Sequence, residues 1–157
     1  MGQIKVTLPD GTVRQYAPGI RLIDIASDIG PRLAKATLAA KVNDEVLDVS
    51  RTLNHDANIA FCTATSEDGL EVIRHSTAHV LAMAVQRLWP GTQVTIGPVI
   101  QHGFYYDFSF PPDVKISEAD FPKIEEEMRA ISKSKVKVER IVVTRDEAIS
   151  RFEKLGE

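Results

Sequence analysis

The 157-residue sequence contains one cysteine, Cys62, and no Cys-x-x-Cys pair. That excludes an internal disulfide and a thiolate-rich zinc site. No apolar run approaches the ~18–20 residues that cross a bilayer. The start, Met1-Gly2-Gln3-Ile4-Lys5, lacks the basic segment and apolar stretch of a secretory leader, so the reading is of a cytoplasmic protein with no membrane partner. A large charge surplus of either sign is missing too: 19 Lys or Arg stand against 22 Asp or Glu, for a net charge of −3. This argues against a surface that grips nucleic acid throughout by neutralising phosphates and leaves room only for a local basic patch. Internal repeats are absent, and the eight prolines and nine glycines are scattered as turn punctuation, against long disorder.

What is present divides near residue 65. Residues 1–65 hold seven basic and seven acidic side chains, while 66–157 hold twelve and fifteen, and the seam from Thr63 to Gly69 is small and polar. In the first part, Ile4, Val6 and Leu8 alternate with polar residues, Pro9-Asp10-Gly11-Thr12 supplies turn chemistry, and Val13 leads a second extended run. Leu22, Ile23, Ile25, Ala26 and Ile29 recur at helical spacing until Gly30-Pro31. Leu38 to Val42, a turn at Asn43-Asp44, Val46 to Val49, and Asn58 to Thr63 read as further strands. A hairpin, a crossing helix and returning strands in about sixty residues imply a β-grasp, or ubiquitin-like, module over 1–63, opening an α+β chain. His55, beside Asp56, reads as a loop histidine without chemistry.

The second part, 66–157, opens with a helix over Leu70 to Trp89, capped by Ser66 or Asp68 and ended by Pro90-Gly91. At ~100° per residue, Leu70, Ile73, Thr77, Val80, Leu81, Ala84, Val85 and Leu88 form one apolar stripe. His75 and His79 fall opposite it, one turn apart, with Val72, Ala82, Met83 and Gln86 around them. The small Ala82 would let a strand or ligand approach, so a second buried surface or a cleft is expected there. Three readings of the pair stay open. It is a hydrogen-bonded surface pair; or it holds zinc, which needs a third ligand from His102, Asp107 or the distant Cys62; or it performs acid–base work on a bound water. Ser76 stands where a His-Glu-x-x-His metalloprotease carries its glutamate.

Beyond the helix, Gln93 to Ile96 reads as a strand, Gly97-Pro98 as a bend, and Val99 to Phe108 as an aromatic second strand with Phe104, Tyr106 and Phe108 on one face. Either Tyr105 or Tyr106 is packed in a sheet or faces the histidines. Ser117 caps a helix whose acidic start, Glu118 to Glu127, gives way to Arg129, Lys133, Lys135, Lys137 and Arg140. Residues 129–145 carry six basic side chains against Glu139 alone. They read as a solvated face or as a contact for a polyanion.

In this order, Leu8-Pro9-Asp10-Gly11, Glu67-Asp68-Gly69-Leu70 through His75-Ser76-Thr77-Ala78-His79, Leu88-Trp89-Pro90, and Ile96-Gly97-Pro98 through Gly103-Phe104-Tyr105-Tyr106-Asp107 resemble the amino-terminal region of bacterial threonyl-tRNA synthetases. The resemblance covers essentially the whole chain. His-x-x-x-His alone also occurs in alanyl-tRNA synthetase editing domains; the β-grasp module ahead of it points to the threonyl family.

The resemblance implies that 1–63 is a TGS domain and 66–157 the start of an editing domain of α/β type, its His-x-x-x-His helix lying centrally on an antiparallel sheet. It further implies that His75 and His79 hydrolyse serine wrongly attached to threonine tRNA, that Tyr106 lines the site, and that the acceptor end of tRNA(Thr) and the rest of the synthetase are the partners. One methyl separates serine from threonine and gives only ~1–3 kcal/mol of discrimination, hence the need for a second, hydrolytic site. The family's class II aminoacylation domain, with ATP, magnesium and zinc, its anticodon-binding domain, and the Cys-x-x-x-His motif that completes the editing pocket have no counterpart here. The expectation is of a fragment that binds no cofactor, neither charges tRNA nor edits efficiently by itself, self-associates through unpaired strand edges, and belongs to an enzyme that is a homodimer through other domains. Two rival readings are a non-catalytic module that binds RNA or a protein partner, and a His-based metal hydrolase.

Overall fold

The computed structural model describes residues 2–136 and 138–155. Lys137 of the basic span and the terminal Gly156-Glu157 lie outside the described residues. The chain forms two compact units that divide between Arg74 and His75.

The first unit contains β1 (Ile4–Thr7), β2 (Val13–Tyr16), β3 (Ile20–Arg21), α1 (Leu22–Ile29), α2 (Pro31–Ala36), β4 (Thr37–Val42), β5 (Glu45–Leu47), β6 (Thr52–Leu53) and β7 (Ala57–Thr63). Its main sheet has the order β2-β1-β7-β4-β5. The first and last strands pair in parallel, Val6 with Ala57 and Thr7 with Asn58, while the flanking pairs are antiparallel. This is the mixed sheet of a β-grasp module. Its core joins Ile4 and Val6 of β1, Leu22 and Ile25 of α1, Ala40 and Val42 of β4, and Ile59 of β7. Burial of each large aliphatic side chain contributes roughly 1.5–3 kcal/mol, which makes α1 the lid of the sheet rather than a free helix.

Turn chemistry acts as the sequence implies. The Gly11 amide donates to Leu8 O at 2.9 Å, closing a turn with Pro9 at its second position and Gly11 at φ +82°. Asn43 and Asp44 both take positive φ, +46° and +74°, as a two-residue turn between β4 and β5 requires. Gly30-Pro31 ends α1, but the chain then restarts as α2 with Pro31 in the first turn, where a missing N–H costs nothing. The small β3–β6 ladder, Ile20 with Leu53 and Arg21 with Thr52, was not foreseen either.

Helix α3 (Glu67–Leu88) follows. Ser66, not Asp68, caps it: the Gly69 amide donates to Ser66 Oγ at 3.2 Å, while Asp68 pairs with Lys41 at 3.3 Å. Beyond it lie β8 (Gln93–Val94), β9 (Val99–Ile100), β10 (Gly103–Phe104), β11 (Phe108–Ser109), α4 (Phe121–Ser134) and α5 (Arg145–Leu155). The antiparallel component of the second unit consists of two short ladders, β8 with β11 and β9 with β10.

Three details depart from expectation. The apolar stripe of α3 holds only in its last turns, where Val80, Leu81, Ala84 and Leu88 pack with Ile124, Met128 and Ile131 of α4. Leu70 and Ile73, at 39% and 37% exposure, lie outside that packing. The aromatic strand from Val99 to Phe108 is broken: it turns back at Gln101-His102, so that Gly103 pairs Ile100 and Phe104 pairs Val99. Pro98, which has no N–H to donate, sits at the irregular part of the ladder and accepts instead from the Tyr105 amide at 3.1 Å. Finally, α4 ends at Ser134, and Lys135 takes the C-cap with a left-handed φ of +50°; Lys133 in the last turn and Lys135 at the cap complement the dipole, whereas Arg140 lies beyond the helix. Ser117 does start this segment, through a reciprocal box with Asp120: Asp120 Oδ2 accepts the Ser117 amide at 2.9 Å.

Candidate functional site

His75 and His79 sit in mid-helix on α3, four residues apart, and both rings are exposed. Helical geometry brings such side chains onto one face. Their Nε2 atoms are 2.9 Å apart, with ring centroids at 4.6 Å and planes at 72°. A hydrogen bond between two imidazole nitrogens fixes complementary roles. One ring carries its proton on Nε2 and donates; the other carries it on Nδ1 and accepts.

The helix around the pair is partly covered. Ala78 and Ala82 are buried at 2% and 6% exposure, whereas Met83 is exposed. Ala82 is covered, but both imidazoles are exposed and border the covered strip rather than lie within it.

Tyr106 takes its place in an aromatic ladder. Its ring stacks on Phe108 at 4.9 Å with planes 15° apart; Phe108 meets Phe110 at 5.8 Å, and Phe110 meets Trp89 edge to face at 6.1 Å. Lys123 Nζ lies 5.3 Å from the Trp89 ring centre, within cation–π range. Tyr105 is 65% exposed, so Tyr106 is the packed member of the two tyrosines. Among the described residues no hydrogen bond joins Tyr106 to either histidine, and the ladder ties it to the end of α3 through Trp89 instead. Phe110 and Trp89 were missed as members of this group. The alternation at 104, 106 and 108 continues to 110 and was the available signal.

Among the described residues no third His, Cys, Asp or Glu joins the pair to make a three-ligand metal group. Cys62 belongs to the first unit, buried at 3%, and burial pushes its thiol up from its ordinary pKa. It behaves as a core side chain rather than a nucleophile. A cavity of about 340 Å³ is lined by Thr7, Leu8, Lys41, Asn43, Asn58 and Ile59, all of the β-grasp module, and includes none of the three candidate residues. No helix among the described residues is long and apolar enough to cross a membrane.

Comparison with known proteins bears on the whole chain. Residues 4–63 match the TGS domain family. Threonine–tRNA ligase of Marinobacter nauticus is 48% identical over 152 residues, 97% of this chain and 23% of the relative. The enzymes of Hahella chejuensis and Burkholderia multivorans are each 47% identical, over 97% and 98% of this chain and 24% of their own lengths. The chain thus spans about a quarter of the length of the curated relatives it matches and is similar to their amino-terminal region.

Proposed function

We propose that this chain serves as the amino-terminal region of a threonine–tRNA ligase, with 1–63 its TGS domain and 66–157 part of a domain that hydrolyses seryl-tRNA(Thr). Identity near one half over nearly the whole chain supports the first statement. The second rests on one observation, the exposed His75–His79 pair with its Nε2 atoms 2.9 Å apart.

In the proposed reaction the hydrogen bond between the rings opens, and the imidazole whose Nε2 lone pair is then free takes a proton from a bound water. The resulting hydroxide oxygen attacks the carbonyl carbon of the ester that joins serine to the terminal ribose. The tetrahedral intermediate collapses with cleavage of the bond to the ribose oxygen, which receives the proton back from the imidazolium. Free serine and uncharged tRNA result. The other imidazole, with its proton on Nε2, donates to the oxygen of that water and positions it. Discrimination against threonine comes from its extra methyl, with Tyr106 a wall of the pocket. The acceptor end of tRNA and the remainder of the synthetase, a cytoplasmic homodimer, are the partners of this reading; ATP, magnesium and zinc belong to the aminoacylating part of the enzyme.

The test is made in the full-length ligase carrying this sequence. His75→Ala and His79→Ala should each slow serine release from seryl-tRNA(Thr) by about 10²–10⁴-fold, the usual contribution of a positioned acid–base group. Threonylation should remain. Unchanged deacylation in both variants would sink the assignment.

A further inference from the structure

We infer that the sheet face of the β-grasp module turned away from α1 binds a small zwitterionic amino acid, with Lys41 taking its carboxylate and Asp44 its ammonium group. The site is the cavity of about 340 Å³, and a second of about 280 Å³ adjoins it, sharing Thr7, Asn43 and Asn58. Strand alternation builds it. Ile4 and Val6, Ala40 and Val42, and Ala57 and Ile59 enter the core against α1, so Lys5, Thr7, Lys41, Asn58 and Ala60 point to the other face. Thr7 stands opposite Asn58 and Ala60 opposite Lys41 in the ladders. The short side chains of Thr7, Asn58 and Ala60 thus floor a hollow, with Leu8 and Pro9 as its apolar wall and the Asn43-Asp44 turn as its polar one.

The polar groups of this hollow fit a ligand that carries one charge of each sign. Lys41 and Asp44 line the first cavity, Lys5 and Asp56 the second. No surplus of positive charge is there to hold a phosphate chain, which sets the site apart from a nucleic-acid surface. Among the described residues the Asp44 carboxylate, the Thr7 hydroxyl and the Asn58 side-chain amide enter no hydrogen bond or ion pair. Asn43 uses Oδ1 for the Asn58 amide at 2.9 Å and keeps Nδ2 as a donor. Lys41 is engaged only loosely: Nζ stands 3.3 and 3.4 Å from the two oxygens of Asp68, longer than the ~2.7–2.9 Å of a tight charge-assisted bond. Asp68 chiefly, and Asp44 more weakly, raise the Lys41 pKa, so the ammonium already sits in the field of the turn. An amino-acid carboxylate accepts from Lys41 Nζ and Asn43 Nδ2, its ammonium donates to Asp44, and a short side chain lies over Ala60 against Leu8 and Pro9. The volume falls at the lower end of ligand sites, ~300–1,000 Å³, as a small ligand requires. The site contains neither His75 nor His79, and it stands whether or not they hydrolyse an ester.

The experiment records amide nitrogen–proton correlation NMR spectra of the 157-residue chain during titration with glycine, L-serine and L-threonine. Parallel titrations use N-acetyl-L-threonine methylamide, which lacks both charges, and adenosine monophosphate. The free amino acids should move the amide signals of Thr7, Lys41, Asn43 and Asn58 along saturating curves with Kd in the millimolar range, as suits so few contacting atoms. The uncharged derivative and the nucleotide should leave those signals in place. Asp44→Asn and Lys41→Gln should each weaken amino-acid binding by at least about tenfold, the share of one charge-assisted hydrogen bond. Asparagine tolerates the left-handed φ of +74° at position 44, so that variant keeps the turn. Unmoved core signals of Val6 and Ile59 check the fold of both. The inference is overturned if no amino acid gives saturating shifts, if the uncharged derivative or the nucleotide moves the same signals as strongly, or if either folded variant binds as tightly as the parent.

Discussion

Gly97 lies flat beneath the ring of Tyr106: a β-carbon added at Gly97 would overlap Cδ2 and Cε2 of that ring. The backbone around them is paired, with the Asp107 amide donating to Ile96 O at 3.2 Å and the Tyr105 amide to Pro98 O. Neither segment can therefore simply step aside. The ring is also held from its other neighbour by the stack on Phe108.

Gly97→Ala should accordingly destabilise the second unit by ~1–3 kcal/mol, the range for overpacking a filled site. At roughly 4–8 °C per kcal/mol for a unit of this size, the loss is visible in thermal melting. In a Tyr106→Ala background the same substitution should cost much less, because the ring it strikes is gone. Equal costs in the two backgrounds would show that the ring is not what Gly97 accommodates.

Gly69 provides a second test, at the start of α3. Replacement of an ordinary helix glycine by alanine stabilises by roughly 0.5–1 kcal/mol. Here the new methyl would run into the carbonyl oxygen of Thr63 and into Ser66 Oγ, the cap itself. Gly69→Ala should therefore destabilise, and Ser66→Ala should cost about 1 kcal/mol by loss of the cap. Urea unfolding of the two variants measures both; a stabilised Gly69→Ala protein would refute the contact.

Asp28 links the β2 edge to α1, its Oδ2 accepting from Arg14 Nη1 at 2.7 Å and from Tyr16 Oη at 2.8 Å. Those bonds, Tyr16's first, hold the Asp28 carboxyl below its ordinary range, and hydrogen bonds from Ser50 do the same for Asp48. A carboxyl lowered in the folded state binds fewer protons there than when unfolded. The stabilisation is present above the unfolded value near 3.9 and is lost as pH falls through the folded one. Stability of the β-grasp module should decline as pH drops from about 5 toward 2, and Asp28→Asn should make that decline shallower. Denaturant midpoints measured across this range would expose an unchanged slope, the outcome against it.

Cys62 should resist thiol reagents in the native protein. It is 3% exposed, and burial, then the nearby Asp68 carboxylate, raises its pKa. If the opening that exposes it costs even ~3 kcal/mol, labelling by an aromatic disulfide is slowed about a hundredfold relative to the unfolded chain. Equal labelling rates in buffer and in denaturant would contradict this placement.

Local rules made much of this protein legible in its sequence. Pro9-Asp10-Gly11 and Asn43-Asp44 dictated their turns because only a few residue types tolerate the required φ angles. The extent of α3, and the placing of His75 and His79 on one face of it, followed from helical period and from Pro90-Gly91. What tertiary structure decided is whatever depends on a distant partner. Helix α4 covers α3 only along its later turns, so the apolar residues Leu70 and Ile73 lie outside the packed stripe that their spacing implied. The ladder between β3 and β6 exists because residues thirty positions apart meet there, and no local pattern encodes that meeting. Alternation places Tyr106 beside Phe108, and the rings do stack, but the contact with Gly97 arises because the segment 95–98 pairs with 105–107. Period and turn chemistry are properties of a few adjacent residues. Burial is a property of what arrives from elsewhere in the chain, and only the folded arrangement supplies it.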